Sequence, residues 1–271
     1  MENSILLYDD HCPLCVGYTR LFVKTGLLKR EERMAFSAAR EDLLARINFE
    51  KGSNEIPLIN LQSGQVLYGI DALLEILDTK IPMIKTIGNL HPVKWFLTHF
   101  YKFISFNRKV IVAKKCGPGD IDCSPAFHPG YRILFLLFFF CFNTVMLYPV
   151  DQVLQSLPFY HLTIRELQVA HFVLAGANCL LAFCLPAKKA IEYLGQVNML
   201  ALTCTLLFVP VILLAGQLTA ILLSLYLVFL SIFIFQEYLR RMDYIGLLSK
   251  HRWISGINLA GICFFILYLF R

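Results

Sequence analysis

The residues best suited to chemistry lie together near the N-terminus, in the segment Asp9-Asp10-His11-Cys12-Pro13-Leu14-Cys15. Two cysteines separated by two residues form a reactive dithiol at the start of a helix, because the unpaired amides and the dipole of the helix favour the thiolate of the first cysteine. The thiolate is the nucleophile in disulfide exchange. We therefore predict that Cys12 attacks a partner disulfide. Cys15, one helical turn later, then attacks the mixed disulfide and releases the partner.

Two neighbours of the dithiol have side chains that can assist it. Asp9 is predicted to be a buried carboxylate that moves protons to and from the resolving thiol, and His11 to raise the thiolate fraction of Cys12. A simpler interpretation stays open for each residue, namely an aspartate in the turn after a strand and an exposed loop histidine. Pro13 favours a helix start directly after Cys12, because its missing N–H costs nothing at a first helical position.

The elements that must position the dithiol are visible in the hydrophobic pattern. The predicted strands are Ile5–Tyr8, Met34–Ser37, Ile56–Leu61 and Gln65–Tyr68, and the predicted helices are Val16–Leu28, Glu41–Ile47 and Asp71–Leu77, the last with Asp71 as its cap. This order, with Cys-x-x-Cys at the first junction between a strand and a helix, is the thioredoxin arrangement. We predict an α/β thioredoxin-like domain over residues 1–90. Such folds place a cis-proline opposite the dithiol, and Pro57, at the start of the hairpin, is predicted to fill that place.

The dithiol segment also resembles a family signature. Tyr8-Asp9-Asp10-His11-Cys12-Pro13-Leu14-Cys15 is similar to the motif Tyr-Asp-Gly-x-Cys-Pro-Leu-Cys of the DCC family of thiol–disulfide oxidoreductases, with Asp10 in place of the usual glycine. Further similarities to the family are Ile56-Pro57-Leu58, Tyr68-Gly69-Ile70-Asp71-Ala72-Leu73, Asn107-Arg108, Cys116 and Cys123. The resemblance covers about residues 4–125. It implies a thioredoxin-like fold and dithiol exchange, and it implies no function for the rest of the chain.

The second half of the chain has the composition of a membrane domain. Of the 271 residues 57% are hydrophobic, and residues 1–130 hold 30 charged side chains whereas residues 131–271 hold only 14. An apolar stretch of about 20 residues spans a bilayer core. Five such stretches are present, at Tyr131–Pro149, Leu167–Pro186, Gly195–Gly216, Gln217–Leu239 and Trp253–Phe270. We predict an all-α membrane domain of about five transmembrane helices over residues 131–271, with a tight turn at Gly216-Gln217.

Lysine and arginine positions predict how these spans are oriented. Basic residues are concentrated before the first predicted span, in the loop at Lys188 and Lys189, and between Arg240 and Arg252, whereas the alternate loops have few. Basic loops remain on the cytoplasmic side of a membrane. The N-terminal domain is therefore predicted to be cytoplasmic, and the C-terminus at Arg271 is predicted to lie outside.

A basic and aromatic segment links the two predicted domains, within residues 91–130. His91–Lys115 has six Lys or Arg residues and no acidic residue, and its aromatic side chains recur every three to four residues, as on one face of a helix. A basic amphipathic helix beside a membrane often lies on the anionic cytoplasmic leaflet. The alternative is a closing helix of the soluble domain that packs its aromatic side chains inward, and both interpretations stay open.

The same linker contains a second pair of cysteines, Cys116 and Cys123, separated by six residues in a Gly/Pro loop. Three interpretations stay open for this pair. The cysteines are structural or free thiols, or a second dithiol that exchanges electrons with Cys12 and Cys15, or half of a four-cysteine zinc site. The spacing exceeds the usual two to four residues between paired zinc ligands, which disfavours zinc.

Composition also narrows the classes of partner and function. It excludes a single soluble globule, a disordered chain and a small secreted disulfide scaffold. The formal net charge is +6, but residues 1–130 carry only +2 without a dense basic run, so no nucleic-acid partner is expected. The expected partners are the lipid bilayer, an unidentified protein thiol and other subunits of a membrane complex. No cofactor or metal is predicted.

The leading prediction is a multi-pass protein of the cytoplasmic (inner) membrane that acts as a thiol–disulfide oxidoreductase on the cytoplasmic side. One alternative is a non-catalytic assembly protein that uses a thioredoxin-like module for docking. A second is a zinc-stapled adaptor. A third is a quinone-coupled redox enzyme, for which His171 and Glu237 are the intramembrane polar residues of interest.

Overall fold

The computed structural model describes residues 3–117 and 121–269, and the chain divides into two compact units. Unit 1 is Met1–Arg132 and unit 2 is Ile133–Arg271. The predicted location of the C-terminus concerns Arg271, which lies outside the described residues, as does the last residue of the fifth predicted span, Phe270.

Unit 1 contains a small mixed sheet. Its strands are β1 (Ser4–Tyr8), β2 (Arg33–Ala35), β3 (Pro57–Asn60) and β4 (Val66–Tyr68), in the order β2-β1-β3-β4. β1 runs parallel to β2 and antiparallel to β3, and β3 forms an antiparallel hairpin with β4. All four predicted strands are therefore present, in the predicted order.

The helices of unit 1 are α1 (Pro13–Lys24), α2 (Glu41–Leu44), α3 (Phe49–Asn54), α4 (Gly69–Asp78), α5 (Ile84–Gly88) and α6 (His91–Val112). The predicted helix Glu41–Ile47 ends early, at Leu44. A separate helix follows because Asn48 caps it, with its side chain accepting the Lys51 N–H at 2.9 Å. The predicted cap Asp71 lies inside α4, since the chain already turns into the helix at Gly69, where φ is +55°.

Both faces of the sheet are covered, and alternation along the strands decides which residue goes where. Leu6 of β1 and Leu58 of β3 pack in one cluster with side chains from α1 and α4. The next residues along these strands, Leu7 and Ile59, pack in a second cluster, which includes Leu43 of α2. The sheet thereby holds the end of β1, where the dithiol segment begins, between two apolar layers.

Helix α6 divides into two halves with different surroundings. Its second half is buried in unit 1 and includes Asn107 and Arg108. This half closes unit 1, as one of the two interpretations predicted. In the first half, by contrast, Trp95, Phe96 and Phe100 are 55–60% exposed, so the aromatic side chains do not all pack inward.

Unit 2 is helical. After α7 (Pro129–Leu154), which begins at the end of unit 1, it contains α8 (Ile164–Ala182), α9 (Ala187–Leu213), α10 (Ala220–Tyr244), α11 (Leu247–Lys250) and α12 (Arg252–Leu269). Three of the described helices are long and apolar enough to cross a membrane, namely α7, α9 and α10. α9 ends at Leu213 and α10 begins at Ala220, so the predicted turn at Gly216-Gln217 is present.

Five transmembrane helices are not confirmed. α8 contains Arg165, Glu166, His171 and Asn178, and these polar side chains lower its hydropathy. α12 provides only a shorter apolar helix, Arg252–Tyr268, in the part of the chain that the structure describes. The structure therefore supports a mostly helical second unit with three candidate spans.

Polar side chains of unit 2 bond between helices. The bonded pairs are Tyr193 with Asn178, Asn258 with Asn178, His171 with Thr144, and Arg241 with Gln196. Glu237 pairs with Arg241 at 2.7 Å within α10. Each pair satisfies groups that cost free energy when buried alone in an apolar environment. His171 and Glu237, considered above for a quinone-coupled enzyme, therefore both have protein partners.

Candidate dithiol site

The dithiol lies at the start of α1. Cys12 is the N-cap residue in extended backbone conformation, and Pro13 is the first helical residue, as predicted. Cys15 lies one turn into the helix, where its backbone N–H and its thiol both donate to the Cys12 sulfur. Neither cysteine is in a disulfide. The structure thus brings the two sulfur atoms together at a helix N-terminus.

The two thiols differ in acidity. The hydrogen bond from the Cys15 thiol, the Cys15 backbone N–H and the charge of Arg108 lower the pKa of Cys12 to about 6, against burial and the charge of Asp9. The pKa of Cys15 is raised well above its usual range, because its thiol donates to Cys12 and is buried. At neutral pH the dithiol therefore holds a thiolate at Cys12 and a thiol at Cys15. The attacking role of Cys12 and the resolving role of Cys15 stay predictions.

Access to the sulfur atoms is restricted. Cys12 is 2% exposed and Cys15 is 5% exposed, whereas Leu14 between them is 37% exposed. Reactive cysteines are usually accessible in part. In the described conformation the protein therefore shields both sulfur atoms.

Asp9 is buried, as the sequence predicts, and its role in moving protons stays a prediction. It is 2% exposed, and its Oδ1 accepts the His11 N–H at 2.9 Å. Its Oδ2 has no hydrogen-bond partner among the described residues and lies 3.7 Å from Nη2 of Arg108. Asp9, Cys15 and Arg108 line the same cavity of about 10 Å³, which is close to the volume that one water molecule needs. The Asp9 carboxylate and the Cys15 thiol therefore border one small cavity.

Arg108 reaches the site from α6. Its guanidinium donates to the carbonyl of Ser53 at 2.6 Å and to the carbonyl of Cys123. The side chain is only 9% exposed. In the sequence Arg108 stands out only through the family resemblance, since no spacing rule connects a residue so far along the chain with the dithiol.

His11 and Asp10 form a separate group beside the dithiol. The Asp10 carboxylate accepts the Ser37 hydroxyl at 2.7 Å and lies 3.8 Å from Nε2 of His11. The cation with the largest effect on the pKa of Cys12 is Arg108. The effect of His11 on Cys12 stays a prediction.

Pro57 differs from its prediction. No peptide bond is cis in the described ranges 3–117 and 121–269, so the bond between Ile56 and Pro57 is trans. The trans form is the more stable by about 0.5–1 kcal/mol at X–Pro bonds. It also suits the neighbouring bonds, because the Ile56 N–H donates to the Tyr101 hydroxyl and its carbonyl accepts the Gly69 N–H. Ile56, rather than Pro57, lines the cavity beside Cys15.

The second cysteine pair has two different environments. Cys123 is 1% exposed, packs in the cluster around Leu7, and has a pKa raised to about 12 by burial. Cys116 is partly exposed, and its sulfur lies 3.5 Å from Nζ of Lys109 and 3.6 Å from Asp122. Burial also raises its pKa. Part of the loop between them, residues 118–120, lies outside the described residues, and exchange between this pair and the dithiol stays a prediction.

No metal centre is formed by the described side chains. Within residues 3–117 and 121–269, no group of three or more His, Cys, Asp or Glu side chains has a geometry that holds a metal ion. This finding gives no support to a zinc site that joins both cysteine pairs.

The region that builds the site matches a known family. Residues 6–114 match the model of the DCC1-like thiol-disulfide oxidoreductase family. The predicted resemblance is thereby confirmed for this region, which is less than half of the chain. The match includes the dithiol, Asp9 and Arg108, and it ends before Cys116. No match was found among curated proteins or among solved structures.

Proposed function

We propose that this protein is a membrane-anchored thiol–disulfide oxidoreductase that exchanges disulfides through Cys12 and Cys15. The observation that carries the proposal is the opposite acidity of two thiols in contact at the N-terminus of α1, within the region that matches the family. A thioredoxin-like fold for unit 1 is part of the proposal. The parallel pair β1–β2 beside the antiparallel hairpin β3–β4, with the dithiol directly after β1, supports it.

The exchange proceeds in two steps. The Cys12 thiolate attacks a partner disulfide, the partner S–S bond breaks, and one partner sulfur leaves as a thiolate while a mixed disulfide forms. Cys15 then gives its proton to Asp9 across the shared cavity and attacks the Cys12 sulfur, which expels the second partner thiolate. The chain now holds a Cys12–Cys15 disulfide, and the partner has gained two electrons. The same steps in reverse oxidise a partner dithiol.

The membrane anchor and its orientation belong to the same proposal. The three candidate spans support anchoring in a bilayer. The distribution of lysine and arginine along the chain supports a cytoplasmic position for unit 1 in the cytoplasmic membrane. A bilayer contact by the first half of α6 is also proposed, because its exposed aromatic side chains belong to a unit tethered to these spans.

Trapping of a mixed disulfide tests the exchange. In the Cys15→Ser variant the second step cannot occur, so we expect adducts with partner proteins that form in cells, depend on Cys12 and disappear on reduction. The control is a Cys12→Ser/Cys15→Ser variant, which keeps the other seven cysteines. Equal adduct levels in the two variants would refute exchange through Cys12.

One observation favours a second candidate function. The 2% exposure of Cys12 suits a docking module without turnover better than an open active site. Under that alternative, the Cys15→Ser variant traps no partner, although the protein still associates with its membrane partners. The same trapping experiment therefore separates the two functions.

A further inference from the structure

The charged groups around the dithiol come from distant parts of the chain. Asp9 follows β1, whereas Arg108 lies on the buried half of α6. The Arg108 guanidinium interacts with Asp9, Cys12 and Cys15, and with the hydroxyl of Tyr101. Among these groups Arg108 is the permanent cation.

Three groups fix the position of this guanidinium. It donates to the carbonyls of Ser53, on α3, and Cys123, and its Nη2 lies 3.7 Å from the free oxygen of Asp9. A guanidinium can satisfy several acceptors in one plane while it stays charged, whereas a lysine ammonium is a compact point charge. The two carbonyl bonds therefore hold the cation between α3 and the residues before α7, facing the dithiol.

We propose that Arg108 is a positioning residue of the dithiol, a buried cation that stabilises the negative charge on Cys12 and keeps Asp9 beside Cys15. The inference rests on the proposed function, and it assigns to α6 a part in chemistry that the Cys-x-x-Cys segment does not perform alone. Because the charges of Arg108 and Asp9 are both buried, their effects on Cys12 are larger than those of surface charges. Arg108 and Asp9 act on the Cys12 thiolate with opposite sign.

Arg108 and Asp9 shift the pKa of Cys12 in opposite directions. Removing one charge at a time therefore gives opposite results, which a merely structural role of Arg108 would not produce. The measurement is the apparent pKa of Cys12, from the pH dependence of its alkylation, read by mass spectrometry of the Cys12 peptide in detergent-solubilised full chain. We expect Arg108→Gln to raise this pKa by about one unit or more, Arg108→Lys to raise it less, and Asp9→Asn to lower it. The matched control is Arg40→Gln, which removes an exposed guanidinium of unit 1 that pairs with Asp42, and it should leave the pKa unchanged.

Two results would overturn the inference. One is an unchanged Cys12 pKa in both Arg108 variants. The other is an Asp9→Asn variant whose Cys12 pKa rises, and this result remains decisive if Arg108→Gln does not fold. The alkylation assay needs no partner protein, so its outcome is separate from that of the trapping experiment. Failure to trap a partner alongside a shifted pKa would refute the proposed function and leave the role of Arg108 intact.

Discussion

At the scale of residues, the dithiol shows how position alone makes two identical side chains different. Cys12 accepts hydrogen bonds from the amide and the thiol of Cys15, whereas Cys15 donates and is surrounded by protein. Each hydrogen bond to a thiolate favours ionisation, and each loss of solvent opposes it. Cys12, whose sulfur lies at the helix terminus, therefore ionises at lower pH than Cys15.

The lowered pKa of Cys12 predicts a pH dependence. Since the reactive species is the thiolate, the rate of Cys12 alkylation should rise as pH increases through about 6 and reach a plateau above about 7.5. An ordinary thiol, with a pKa near about 8.5, would still gain rate above that pH. The measurement is peptide-resolved alkylation by iodoacetamide between pH 5 and 9, with a small-molecule thiol of ordinary pKa added as the reference. A Cys12 profile that follows the reference would contradict the prediction.

At the scale of elements, the packing of α5 on α4 depends on Gly88, which has no side chain. A Cβ atom added at Gly88 would lie 2.4 Å from Cδ2 of Leu74, which is 3% exposed. We expect Gly88→Ala to lower the free energy of unfolding of unit 1 by about 1–3 kcal/mol, because a packed neighbour must move.

The control for this substitution lies in α1. Gly17 is exposed inside that helix, with no atom within 4 Å of an added Cβ, so Gly17→Ala should stabilise unit 1 by about 0.5–1 kcal/mol. Urea-dependent proteolysis of the full chain measures both changes. Equal effects of the two substitutions would show that α5 does not pack on Leu74 as described.

Helix α6 carries a second prediction at this scale, because its first half is exposed and aromatic while its second half holds Arg108. The chain has two tryptophans, Trp95 and Trp253, so the Trp253→Phe variant reports on Trp95 alone. In proteoliposomes with lipids brominated near the headgroup, we expect quenching of Trp95 fluorescence if α6 contacts the bilayer. The converse variant Trp95→Phe shows how strongly a residue of α12 is quenched. Trp95 fluorescence that is insensitive to brominated lipid would rule out this contact.

At the scale of the whole molecule, a unit that carries the dithiol and an apolar helical unit share one chain. If α7 crosses the membrane, residues before and after it lie on opposite sides. Ser63 in the β3–β4 turn and Ser156 after α7 are both exposed, and they suit substitution by cysteine. On intact cells, a membrane-impermeant maleimide should label the Ser156→Cys variant beyond the parent protein and leave Ser63→Cys unlabelled. Labelling of both or of neither would exclude α7 as a span, and the reverse pattern would exclude the proposed orientation.

The sequence alone determined the local part of this protein. The hydrophobic pattern and the turn residues placed all four strands, and the Cys-x-x-Cys with Pro13 placed the helix start, since these features depend on neighbours a few residues apart. Among the described residues, three of the five predicted spans are long apolar helices. Where polar side chains are interspersed, as in α8, hydropathy alone did not decide the number of spans.

Tertiary structure decided the features that depend on contacts between distant segments. It placed Arg108 of α6 beside Asp9, buried Cys123 in the core under β1 while Cys116 stayed partly exposed, and left the bond before Pro57 trans. Spacing rules apply within one helix or strand, whereas electrostatic fields and burial depend on which elements pack together. The short motif therefore suffices to identify Cys12 and Cys15 as the candidate reactive residues. Hydrogen bonds within this motif lower the pKa of Cys12 most, whereas the charge of Arg108 and the burial of both sulfur atoms come from the packing of distant elements.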